Sequence, residues 1–230
     1  MKNKLAILLS LLVIISSCVP SKLGTKESLY PEVYKKNPLT ILVLPAINKT
    51  TAADAKELFT ATTAECLSYT GYYIYPTELV NDILKQESGW NTETLDVNTL
   101  TKLKDYFGAD AVLLVTINKW NTSYYVVGGN VKVELEYKLV STLDGAVIWT
   151  QKISETIDTS QKSGGSGIAG MVLDLAMTAV KTASTQYVPI AVGLNNKAFK
   201  LLPFGKYHLR YRKDQTDEIL NNYTVMPSNK

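Results

Sequence analysis

The stretch from Tyr124 to Thr159 constrains the fold most. Val131, Val133, Leu135, Tyr137 and Leu139 alternate with Lys132, Glu134, Glu136 and Lys138, and a period of two fits a strand with one buried and one wet face. Gly128-Gly129 marks a bulge or turn. Asp144-Gly145 predicts a tight type I′ hairpin turn, whose two central residues need positive φ, with a second strand from Gly145 to Thr159. An antiparallel meander of this kind has to be covered on its apolar side. Trp120 and Trp149 are expected there, as core or sheet-face aromatics.

Upstream, strand and helix alternate. Leu39 to Pro45 is an apolar run of strand length, consistent with burial on both faces. Thr51, with Asp54 three residues on, predicts a helix cap, and Ala55, Leu58, Phe59, Thr62 and Cys66 fall on one stripe of the helix that follows. Gly71 ends that helix, and Tyr72 to Pro76 reads as a strand. Thr77 and Asp96 cap two further helices, and Ala111 to Val115 forms another buried strand. The expected fold class is α/β (α+β): a two-layer domain with helices packed on a mixed sheet that includes the meander.

The chain opens with Lys2, Lys4, an apolar run from Leu5 to Ile15, and Ser16-Ser17-Cys18. That is the layout of an export signal too short to span a bilayer. Ile15-Ser16-Ser17-Cys18 resembles the bacterial lipobox, which implies cleavage after residue 17 and acylation of Cys18. Three acyl chains on one residue would hold it to a membrane in effect permanently, at about 0.8 kcal/mol per buried methylene. Val19 in place of Asp favours the outer membrane over the inner by the enteric sorting rule. The expected divisions are 1–17 signal peptide, 18–38 lipid anchor and flexible tether, 39–213 a single domain, and 214–230 a C-terminal tail. A tether of about 20 residues reaches roughly 70 Å when extended.

Charge and cysteine count narrow the function classes. The net charge of +3 includes Lys2 and Lys4, so the mature chain stands at +1. That does not support a nucleic-acid partner. Cys66 is the one other cysteine, so no intramolecular disulfide is expected. Its place on the apolar stripe of a helix suits packing better than nucleophilic chemistry.

Lys206, His208, Arg210 and Arg212 alternate with Tyr207, Leu209 and Tyr211. On a strand, that places four basic groups on one face, either a solvated edge guarded against aggregation or a face for lipid phosphates or an acidic partner. His208 is the sole histidine, which excludes a histidine-rich metal site and leaves nucleophilic triads without a credible base. Gly165-x-Gly167-x-x-Gly170 matches a dinucleotide fingerprint only as a string: the acidic residue about 20 positions on is missing. No catalytic, cofactor-binding or metal-binding residues are assigned, and no cofactor is expected. Ile168 to Tyr187 reads as a helix with Asp174 and Lys181 as its only charges, either central to the core or packed against a second copy.

Several strings occur in one order: Tyr30-Pro31-Glu32, Ile41 to Asn48, Gly71 to Pro76, Phe107 to Leu113, Lys119-Trp120 and Gly205 to His208. Together they resemble the bacterial lipoprotein family called domain of unknown function 799, from about Tyr30 to Tyr211. The resemblance implies an outer-membrane lipoprotein with an α/β domain, often dimeric, without established catalytic residues. Leu42 to Pro45 with Asn48-x-Thr50, and Thr142 to Trp149, are also similar to curli-secretion lipoproteins and to activators of peptidoglycan synthases. The expected function is a non-catalytic interaction subunit of an envelope assembly, secretion or transport system. Expected partners are the membrane, a second copy, and other envelope lipoproteins or a wall-synthesis or secretion complex. The alternatives are an envelope glycan hydrolase using Glu134 and Glu136, which would need carboxyls converging on a cleft, and a small-ligand binder with a deep apolar pocket.

Overall fold

The computed structural model describes residues 22–86, 92, 96–125, 128–158 and 187–220. Three parallel strands, β2 (Thr40–Val43), β4 (Tyr73–Ile74) and β5 (Ala111–Tyr125), meet two antiparallel ones, β6 (Gly128–Ser141) and β7 (Val147–Asp158). The sheet order is β4-β2-β5-β6-β7, with β3 (Ile47–Asn48) pairing β5 further along. Among the described residues six helices accompany it: α1 (Lys26–Leu29), α2 (Pro31–Lys36), α3 (Ala55–Ser68), α4 (Thr77–Gln86), α5 (Val97–Phe107) and α6 (Tyr187–Phe199). The strands β1 (Lys22–Thr25) and β8 (Glu218–Leu220) pair with each other, away from the main sheet.

Alternation along the strands divides the apolar residues between two cores. Ile41, Val43, Leu113, Val115, Leu135, Tyr137, Leu139 and Trp149 face α3 and α6, whose Phe59, Cys66, Leu67, Leu194 and Phe199 close the layer. Leu42, Leu44, Val112 and Val140 face the other way, against Val80 and Leu84 of α4 and Leu100 and Leu103 of α5. β2 is therefore buried on both faces, as its unbroken apolar run requires. The two-layer arrangement holds across the meander, and a smaller helical layer is added behind the parallel strands. Beyond it the second face of β6 is wet: Glu134 pairs with Lys119 at 2.6 Å and Glu136 with Lys138 at 3.2 Å. Trp120 and Trp149 both lie in the larger core, as expected.

Two local expectations are corrected. Asp54, not Thr51, precedes α3, and its side chain makes no cap. Asn48 instead organises a preceding turn, accepting from the Thr50 N–H and hydroxyl and donating to the Ala52 carbonyl. Between β6 and β7 only Gly145 has positive φ (70°), and the Ser141 carbonyl accepts from the Gly145 N–H while the Ser141 N–H donates to Ala146. The loop is thus longer than the type I′ turn expected at Asp144-Gly145.

The largest correction concerns the ends of the chain. Of the expected tether 18–38, residues 22–36 form β1, α1 and α2, and Tyr30 and Val33 are buried in the main core. Of the expected tail 214–230, Asp214 is fully buried and Glu218–Leu220 is a strand. The domain extends at least from Lys22 to Leu220. The signal, Cys18, the Gly165 motif and the helix expected to precede Tyr187 lie outside the described residues.

Candidate interaction site where the two ends of the chain cross

α1 begins one residue after β1. Thr25 caps it, its hydroxyl accepting from the Ser28 N–H. This fixes Lys26 with its side chain turned inward, 4% exposed. The Lys26 ammonium donates to the Leu202 carbonyl at 3.0 Å and lies 3.5 Å from the Asp214 carboxylate. Asp214 Oδ2 also accepts from the Phe204 N–H at 2.9 Å. Burial lowers the Lys26 pKa, and Asp214 and Asp217 oppose that shift. Two buried groups beside the pair, Asp214 Oδ1 and the Tyr34 hydroxyl, have no hydrogen-bond partner at good geometry. Burial first, and the nearby Asp214 charge second, push the Tyr34 phenol up.

Residues 203–213 lie over this pair as a run of turns. Gly205 donates its N–H to the Thr70 carbonyl and Tyr207 its N–H to the Gly71 carbonyl, each at 2.9 Å. The backbones cross so closely that a Cβ on Gly205 would stand 2.4 Å from the Gly71 oxygen, and one on Gly71 2.4 Å from the His208 nitrogen. Gly71 also has φ 84°, a conformation that favours glycine. His208 stacks on Phe204 with ring centroids 3.7 Å apart, and the Lys26 ammonium lies 4.4 Å from the same ring, within cation–π range.

The expected basic strand at Lys206, His208, Arg210 and Arg212 does not form, because consecutive turns replace it. His208 is half-buried, and burial lowers its pKa, with Arg210 and Lys26 adding to the shift against Asp214. Its Nδ1 accepts from the Arg210 N–H at 3.1 Å, so it adds no charge to a face. Arg210 is ion-paired with Asp217 at 2.7 Å. Arg212, at φ 55°, donates to the Tyr34 carbonyl. Lys206 and Arg212 remain exposed, and beside them Tyr207 is 65% and Leu209 92% exposed. Sequence reasoning missed Lys26 and Asp214 altogether. Partners 188 residues apart leave no local spacing to read.

Elsewhere, Cys66 is buried as expected, and burial followed by the Glu65 charge pushes its thiol up to about 12. A cavity of about 490 Å³ lies beside Trp120, bordered by Thr51, Asp54, Leu58, Asn121 and Tyr187. Among the described residues no helix is long and apolar enough to cross a membrane.

Comparison with known proteins fits this architecture. A lipoprotein of Neisseria meningitidis serogroup B, NMB1124/NMB1162, is 28% identical over 156 residues, covering 68% of this chain and 72% of its own. The crystal structure of lipoprotein GNA1162 from Neisseria meningitidis superposes with a TM-score of 0.50 at 28% identity, covering 61% of this chain and 96% of that one. A PelC dodecamer structure from Paraburkholderia phytofirmans gives 0.44 at 17% identity, over 71% and 86% of the two chains. The profile of the family described as "Putative lipoprotein GNA1162-like" matches residues 29–202, a span that contains the main sheet and α2 to α6, and this chain belongs to that lipoprotein family.

Proposed function

We propose that this protein is fastened to the bacterial outer membrane through an acylated Cys18, faces the periplasm, and acts by docking as a non-catalytic subunit of an envelope assembly, secretion or transport system. The observation that carries the reading is the join of two features: a lipoprotein-family domain from residue 29 to 202, and the Ile15-Ser16-Ser17-Cys18 string just before its first strand. The placement of the chemistry supports a docking role. Glu134 and Glu136 are each paired with a lysine on an open sheet face, and Cys66 is buried, with its thiol pushed well above its ordinary range. The cavity beside Trp120 lies between the start of α3 and β5, on the sheet face that buries Trp120 and Val133, whereas Glu134 and its partner Lys119 alternate onto the other face.

Crosslinking in intact cells, followed by identification of what is retained, tests the proposal. Recovery of another envelope lipoprotein, a wall synthase, a secretion component or a second copy is expected. Recovery of a lone monomer contradicts it. Replacing Glu134 and Glu136 with glutamine is expected to leave the cellular phenotype intact, whereas a strict loss of a glycan-cleaving activity would favour the enzyme instead.

A further inference from the structure

Residues 203–213 read Pro-Phe-Gly-Lys-Tyr-His-Leu-Arg-Tyr-Arg-Lys, with four formal cations and no acid. Tyr207 and Leu209 stand out of this loop into solvent, flanked by exposed Lys206, Arg212 and Lys213. The loop is also rigid: Gly71 and Gly205 staple its backbone, His208 stacks on Phe204, and Arg210 is tied to Asp217. A leucine 92% exposed on a braced turn cannot fold back to hide its apolar surface. That combination of fixed apolar tips within a ring of cations suits the headgroup layer of an anionic bilayer.

Chain length decides where the loop sits. Cys18 is four residues from Lys22, so β1 starts at most about 14 Å from the acylated residue. Lys22 pairs with Glu218, the neighbouring Asp217 pairs with Arg210, and the Asp217 carbonyl accepts from the Lys26 N–H. The loop is thus linked to the anchored end of the chain through one short strand pair. Without the long tether expected from the sequence, the domain is held close to the membrane by the end that carries this loop.

We infer that the loop 204–213 is a second membrane contact, in which Tyr207 and Leu209 enter the headgroup layer and Lys206, Arg212 and Lys213 meet anionic lipid phosphates beside the acyl anchor. The inference rests on the anchored reading above, and its test has an arm that does not need the anchor.

In the first arm, full-length acylated protein carrying Leu209→Cys is labelled with a polarity-sensitive fluorophore in vesicles containing phosphatidylglycerol. Asn121→Cys, ten residues and roughly 33 Å along β5 from its first residue, is the control. Buried Cys66 and acylated Cys18 leave the introduced thiol as the labelling site. The 209 label is expected to be blue-shifted and quenched by a headgroup nitroxide, with the 121 label remaining water-like. Equal exposure of the two labels overturns the inference, and shielding of 209 in cells but not in vesicles also overturns it by placing a protein there. In the second arm, the mature chain from residue 18 carrying Cys18→Ser is added to phosphatidylglycerol or phosphatidylcholine vesicles. It is expected to prefer the anionic vesicles, and Lys206→Gln with Lys213→Gln to weaken that binding about 10- to 30-fold. Absence of lipid on Cys18 in the first arm refutes the anchor alone. Equal binding to both vesicle types in the second arm refutes the loop contact alone.

Discussion

Two buried polar clusters in this domain are built on opposite terms. Between α3, α6 and β6, Asn195 accepts from the Tyr137 hydroxyl at 2.8 Å and the Thr63 hydroxyl at 3.2 Å, and donates to Thr62 at 3.1 Å. That network is neutral and satisfied. Where the chain ends cross, Lys26 and Asp214 form a buried ion pair at 3.5 Å, and the Tyr34 hydroxyl lies beside Asp214 without a hydrogen bond of good geometry. A neutral network of this kind can fix how helices pack on a sheet. A buried ion pair is worth little as stabilisation, but losing one partner is costly, so the crossing depends on both ends of the chain arriving together.

The sharpest way to break that contrast is to remove one charge. Lys26→Met should cost about 3–5 kcal/mol in chemical denaturation, because Asp214 is left buried without its cation, beside only the Phe204 N–H and the Tyr34 hydroxyl. Adding Asp214→Leu should recover most of the loss, and no recovery would mean that the lysine acts through packing. Asn195→Leu should cost less, about 2–3 kcal/mol, by stranding the Tyr137 and Thr63 hydroxyls. No apolar partner mutation on β6 alone should restore it fully. Gly71→Ala should cost about 1–3 kcal/mol from positive φ and the approach of His208, and thermal melting would show it.

Two titrations extend the comparison to smaller effects. The Cys66 thiol is raised from 9.0 to about 12 in the fold, so across that window the folded state keeps a proton that the unfolded chain has lost. Stability should therefore fall as pH rises from about 9 toward 12, and Cys66→Ala should flatten the slope over its first unit, before buried tyrosines contribute. Asp144 is held down to about 2, chiefly by the hydrogen bond from Lys36. Its contribution should be present above about pH 4 and lost as pH falls through about 2. Because both side chains are partly solvated, it should be under about 1 kcal/mol and vanish in Lys36→Met.

The legible parts of the fold were those with local periodicity. The alternation in β6, the unbroken run of β2, and the Asp96 cap, whose carboxylate accepts from the Thr99 N–H at 2.7 Å, are each written within a few residues. The crossing of the ends was not legible for the opposite reason: Lys22 and Glu218 meet across 196 positions, and β1 and β8 are too short to show a pattern. The alternation from Lys206 to Arg212 misled because a period of two is also compatible with successive turns when outside contacts hold them. Here those contacts are the Thr70 and Gly71 carbonyls and the Asp217 carboxylate, none of which the loop's own spacing reveals.

The anchor is the claim on which the rest depends, and the mass of the mature protein purified from its own membranes tests it most directly. The account predicts an amino-terminal Cys18 carrying acyl chains on sulfur and nitrogen. A mature chain beginning at any other residue, or one with an unmodified Cys18, would contradict it.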